Sequence, residues 1–144
     1  MERHNVRATG GCLCGSVRYE IVGELMPVIN CHCSKCRRFH GHMGAYTAAR
    51  REQLVLVKDE GLKWYHSVQD ETPKVYRGFC KHCGSSLFWD PRGREIISIA
   101  AGSIDPPTGL DTERHVYVSQ KTDYYRITDG LPCHEGRFNR TETG

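Results

Sequence analysis

Seven cysteines in three tight clusters constrain this chain more than any other feature. The clusters are Cys12-Leu13-Cys14, Cys31-His32-Cys33-Ser34-Lys35-Cys36 and Cys80-Lys81-His82-Cys83, and the eighth cysteine, Cys133, stands alone. An even count permits a disulfide framework. Two features oppose it. Met1-Glu2-Arg3-His4-Asn5 is charged and lacks an apolar h-region, which predicts a chain that is not exported and a reducing, cytoplasmic compartment. Close neighbours such as Cys12 and Cys14 are also poorly placed to bridge each other, whereas their spacing suits a shared ion. Thiolate is a soft ligand, and zinc takes about four ligands in a tetrahedron.

The economical division is four plus three. Cys12, Cys14, Cys80 and Cys83 would form a closed, structural site that ties the start of the chain to its middle, so that binding energy becomes folding energy. Gly15 and Gly84 follow the two ligand pairs, where a residue free to take positive φ lets the backbone turn around the sulfurs. Cys31, Cys33 and Cys36 would form an open site, with the ligand count of a catalytic zinc. That makes two Zn²⁺ per chain. Spacing alone also permits one ion held by Cys31, Cys33, Cys80 and Cys83; three thiols more than one ion needs favour two. His32, His40, His42 and His115 are candidates to complete the open site, but each is more often a packing or surface histidine. In an extended Cys-x-Cys the side chain of His32 points away from the sulfurs. A water or a substrate thiol is the expected fourth ligand.

The chain between the clusters reads as mainly β: a small zinc-containing antiparallel β domain over residues 1–144, with almost no helix. Strand-like runs are Ser16–Ile21, Ala45–Thr47, Leu54–Val57, Leu62–Tyr65, Lys74–Phe79, Ser85–Trp89, Ile96–Ala100 and His115–Val118. Turn residues such as Asp59-Glu60-Gly61 and Asp90-Pro91-Arg92-Gly93 separate them. Ser34–Phe39 reads as a short helical turn capped by Ser34. The tail from Asp129 is polar and predicted to be loose, above all over 132–144. No apolar stretch is long enough for a membrane span. The formal charge is +3, and seven thiolates with two Zn²⁺ would bring it to zero, so no basic stripe argues for nucleic acid. Exposed strand edges leave a homo-oligomer open.

The clusters and their flanks resemble the glutathione-dependent formaldehyde-activating enzyme (GFA) family, which includes centromere-protein-V-like domains. The resemblance lies in Gly10–Glu20, Cys31–Arg38, Phe79–Leu87, Ala101–Pro106, His115–Val118 and Asp129–Pro132, a match running from about Gly10 to Leu131. It implies a tent-like, Mss4-like fold with a structural zinc on Cys12, Cys14, Cys80 and Cys83 and a catalytic zinc on Cys31, Cys33 and Cys36. It also implies a carbon–sulfur lyase reaction, glutathione and formaldehyde joining reversibly as S-(hydroxymethyl)glutathione, so a small thiol and an aldehyde are the expected partners. No catalytic residue beyond the zinc ligands follows from it, and Cys133 has no place in the pattern. Lys35, Arg37, Arg38, Arg77 and Lys121 are candidate cations for the glutathione carboxylates, while Trp64, Trp89 and the tyrosines are candidates for a pocket lining. The alternatives are a non-catalytic zinc-binding interaction module, a nucleic-acid-binding zinc protein and a redox protein using Cys80-Lys81-His82-Cys83. A redox Cys-x-x-Cys belongs in a βαβ setting that the pattern lacks.

Overall fold

A computed structural model describes residues 5–138. Among these residues ten strands form two sheets. The smaller contains β1 (Ala8–Gly11), β2 (Arg18–Ile21) and β5 (Leu54–Lys58), in the order β1-β2-β5. The larger adds β3 (Val28–Cys31), β4 (Gly44–Arg50), β6 (Leu62–His66), β7 (Val75–Cys80), β8 (Ser86–Pro91), β9 (Ile96–Ala100) and β10 (Thr112–Val116). Its order is β10-β3-β4-β9-β8-β7-β6. One α-helix, α1 (Ser34–His40), joins β3 to β4.

The mainly β expectation is met, with one exception to antiparallel pairing: β10 runs parallel to β3. A parallel neighbour needs a long crossover, and here the whole of β4 to β9 intervenes. The strand β3 has no alternation to read, because Val28, Ile29 and Asn30 are all buried between β4 and β10. Strand β2 does alternate: Val17, Tyr19 and Ile21 are at most 1% exposed, and Arg18 and Glu20 point outward. These three pack with Leu87, Phe88, Ile97, Ile99 and Ile104 into one core, where Tyr19 meets Phe88 edge to face at 5.5 Å. Arg18 and Thr9 both bond Asp105, at 2.5 and 2.6 Å, which fastens the small sheet to the turn after β9.

Two expectations need correction. The cap of α1 is Cys33, not Ser34: the Cys33 sulfur accepts the Cys36 N–H at 3.4 Å. The segment expected to be loose from Asp129 is held along β10 as far as the description runs. The His115 N–H donates to Pro132 O, the His134 N–H to His115 O and the Tyr117 N–H to Gly136 O, each at 2.9 Å. A polar composition hid these pairings because the bonds are made by backbone. The remainder of the tail, 139–144, lies outside the described residues.

Candidate metal centres

The fold brings the four-thiol set together from both ends of a long loop. Cys12 and Cys14 lie in the turn after β1; Cys80 ends β7 and Cys83 closes the turn that follows. All four sulfurs lie within 4.8 Å of one another. Cys12 to Cys14 is 3.7 Å and Cys14 to Cys80 is 3.8 Å. A zinc–sulfur bond of about 2.3 Å gives a tetrahedral edge of about 3.8 Å, so the spacing fits a shared zinc. Backbone donors already point at the sulfurs: Val17 N–H to Cys12 at 3.2 Å, His82 and Cys83 N–H to Cys80 at 3.4 and 3.5 Å. Such donors favour the thiolate. The Ser85 hydroxyl and backbone hold Cys83 down at about 5.

The turns that carry these sulfurs need glycine where the sequence supplies it. Gly15 has φ +85° and Gly84 φ +82°. The Gly84 N–H closes its turn on Cys80 O at 2.7 Å. A Cβ in the left-handed region costs about 1–2 kcal/mol, so Gly84→Val is expected to lower unfolding free energy by about that much, measured by urea titration. An unchanged midpoint would contradict the account of this turn.

The three-thiol set is more compact in sequence and more enclosed in space. Cys31 is the last residue of β3, Cys33 caps α1 and Cys36 sits in its first turn. Their sulfurs also lie within 4.8 Å of one another, and among the described residues no fourth His, Cys, Asp or Glu ligand atom joins them. Crowding divides the trio electrostatically. Contacts with Cys31 and then Cys36 draw Cys33 down to about 2. Contacts with Cys33 and Cys36 push Cys31 far up. Cys36, drawn down by Cys31 but pushed up by Cys33 and by burial, ends at about 12. Three thiolates this close repel one another and together need a cation, and soft donors at this spacing suit zinc.

A cleft of about 220 Å³ opens over this trio, which forms part of its lining. None of the other four clustered thiols lines it. No disulfide joins any of the eight cysteines.

A family model described as "Glutathione-dependent formaldehyde-activating enzyme" matches residues 7–120. The chain belongs to this family. It is also 33% identical over 125 residues to a Halomonas elongata protein named "Putative glutathione-dependent formaldehyde-activating enzyme", with 82% of this chain and 79% of that protein covered. Among solved structures, a Rhodobacter sphaeroides protein has the same fold, with a TM-score of 0.54 and 24% identity over 88% of this chain and 98% of that one.

Outside the cysteines, the structure sorts the candidate residues of this GFA-family chain unequally. Lys35 and Arg77 line the cleft. Arg37 donates to Gln120 O, Lys121 to Thr122 O and Tyr125 O, and neither lines it. Arg38 is exposed on α1 and lines no part of it either. Trp89 lines the cleft, while Trp64 stacks on Phe88 in the core. The histidines find other partners. His32 bonds His115 at 2.8 Å, both of them buried, and His115 bonds the exposed Asp129 at 2.8 Å. His42 meets the Tyr124 hydroxyl near the surface. His40 bonds the hydroxyl of Tyr46, a cleft-lining residue, at 2.5 Å.

Several cleft residues went unread in the sequence. Arg94 and Arg137 bring cations to the lining, and Asp70, Glu71 and Thr72 come from the loop between β6 and β7. Tyr117 takes φ +57°, and its hydroxyl donates across to Glu71 at 3.0 Å. Isolated charged residues in polar loops give no periodic signal. Only the pairing of 132–138 with the end of β10 brings Arg137 here.

Burial, with the Arg77 guanidinium second, lowers His40 from 6.5 to about 4. Between those values the unfolded chain binds the proton and the folded one does not, so stability falls as pH drops through this window. The effect is on the order of 2–3 kcal/mol. Comparing wild type with His40→Gln between pH 7 and 4.5 isolates it: wild type should lose more stability than the variant. Equal losses would contradict the assignment.

Proposed function

We propose that this protein is a zinc-dependent carbon–sulfur lyase of the GFA type that adds a glutathione-like thiol to formaldehyde, and releases it, in the cleft over Cys31, Cys33 and Cys36. One observation carries this reading: of the two thiol clusters, the one with three ligands is the one that lines a cleft. Cys12, Cys14, Cys80 and Cys83 would hold a structural zinc and Cys31, Cys33 and Cys36 a second. When bound there, zinc supplies the means to keep an incoming thiol as its nucleophilic thiolate near neutral pH.

The chain's own groups then have distinct tasks. Lys35, Arg94 and Arg137, all cleft-lining cations, suit the carboxylates of glutathione and would orient its thiol toward the trio. The thiolate adds to the aldehyde carbon; the carbonyl π pair moves to oxygen and gives an alkoxide. The proton surrendered by the thiol is the one the alkoxide needs. Tyr46 and His40 are the pair suited to carry it. Burial above all raises the Tyr46 hydroxyl well above its usual value, so it stays protonated. His40 Nε2 bonds the Tyr46 hydroxyl at the cleft wall, so the pair can pass a proton along that bond. Release runs the same steps backwards. A cytoplasmic setting agrees with a chemistry that depends on seven cysteines kept out of disulfides.

Exchange between ¹³C-formaldehyde and its glutathione adduct, followed by NMR, tests the proposal. Acceleration above the buffer rate by catalytic amounts of protein supports it; a rate equal to buffer sinks it. The non-catalytic module is the second reading. It calls for a fourth protein ligand on the trio, and none lies there among the described residues.

A further inference from the structure

The proposed chemistry leaves one buried charge in the cleft wall without a task. Arg77 lies in mid-β7 and is 3% exposed, yet it lines the cleft together with Cys36. One edge of its guanidinium is fully engaged. Nε donates to Ser67 Oγ at 3.1 Å, and Nη2 donates to the Asp70 carboxylate at 3.0 Å. The Ser67 hydroxyl and Trp89 Nε1 donate to the same carboxylate, so the acceptor is itself fixed. The plane lies over the Phe39 ring of α1, with Cζ 5.2 Å from the centroid. Nη1, on the other edge, is shut from solvent and has no hydrogen-bond partner. A buried charged donor left unpaired carries its full desolvation cost. Hydrogen bonding within the wall therefore does not account for an arginine here.

Its field does. Arg77 lines one cleft with Cys31, Cys33 and Cys36, and Asp70 at 3.0 Å keeps the buried guanidinium charged. Three thiolates around one Zn²⁺ carry a net charge of −1, and a wall of Ile29, Val116 and Trp89 offers little solvent to screen it. A fixed guanidinium that makes no hydrogen bond to a sulfur can still balance that charge. Outer partners of this kind tune metal affinity by about 10–100-fold.

We propose that Arg77 is the counter-charge of the Cys31–Cys33–Cys36 centre, a positioning residue oriented by Asp70 and Phe39 that makes the three-thiolate state tenable in a buried wall. This rests on reading the trio as a metal site. Its mate Asp70 serves only to aim Arg77 and partly offsets it, so the two residues should act on the metal with opposite signs.

The test is zinc affinity, measured by chelator competition on the full chain, for the ion absent from a Cys33→Ser control. Arg77→Met should weaken that zinc by about 10–100-fold while the other zinc and the far-ultraviolet spectrum stay as in wild type. Arg77→Lys, which keeps the charge, should recover most of the loss. Asp70→Asn should bind this zinc as tightly as wild type or more tightly. Equal affinity in Arg77→Met and wild type would overturn the inference alone. So would equal losses in Arg77→Met and Asp70→Asn, the mark of a merely structural ion pair. A raised KM with unchanged zinc affinity would reassign Arg77 to substrate contact and also overturn it. A wild type that takes up only one zinc would overturn the metal reading and the inference together. Should Arg77→Met fail to fold, Asp70→Asn decides: weakened zinc there contradicts the proposal.

Discussion

Cys33→Ser is expected to exchange formaldehyde and its glutathione adduct no faster than buffer does, while keeping its fold and one bound zinc. The substitution is selective because of where Cys33 sits. Its sulfur is one of the trio and also caps α1, accepting the Cys36 N–H. Serine is among the best N-caps, so the helix start survives and only the soft ligand is lost. The same NMR exchange measurement reads the activity, and a thermal melt reads the fold. Full activity in this variant would refute the role of the trio. Loss of folding together with activity would place Cys33 in the structural framework instead.

The largest effect on stability should come from Cys80→Ser. Cys80 is wholly buried, ends β7, packs in the main core and meets the sulfurs and backbone donors that converge from the first turn. A structural zinc in small domains contributes about 10–16 kcal/mol of folding energy, against a total stability of about 5–15 kcal/mol for a domain. Losing even about 5 kcal/mol lowers Tm by about 20 °C at this size. Cys80→Ser is therefore expected to melt at least that far below wild type or to be unfolded at 37 °C. Treating wild type with a strong chelator should reproduce the shift. A melt within a few degrees of wild type would mean that the four-thiol set is not an anchor.

Cysteine spacing carried the clusters because ligand geometry is local: Cys31, Cys33 and Cys36 fall within six positions, and their turn can be drawn without knowing the fold. Strands with one wet face were equally readable, β2 above all, since Val17, Tyr19 and Ile21 alternate with Arg18 and Glu20. Strand β3 was not, being buried on both faces and paired in parallel with a strand far along the chain. The cleft resisted for the same reason. Its cations and acids, Arg94, Arg137 and Glu71, come from separate loops, and only tertiary packing joins them. The relation of His40 to Tyr46 spans the turn between α1 and β4, and no motif announces it. His115 and Asp129 stood within the family resemblance, but their bond to each other and to His32 is a fact of the fold.

Zinc per folded chain, determined by elemental analysis on metal-replete protein freed of loosely bound ions, tests the division of the sulfurs most directly. Two in wild type and one in Cys33→Ser is the predicted result. One in both proteins would contradict it.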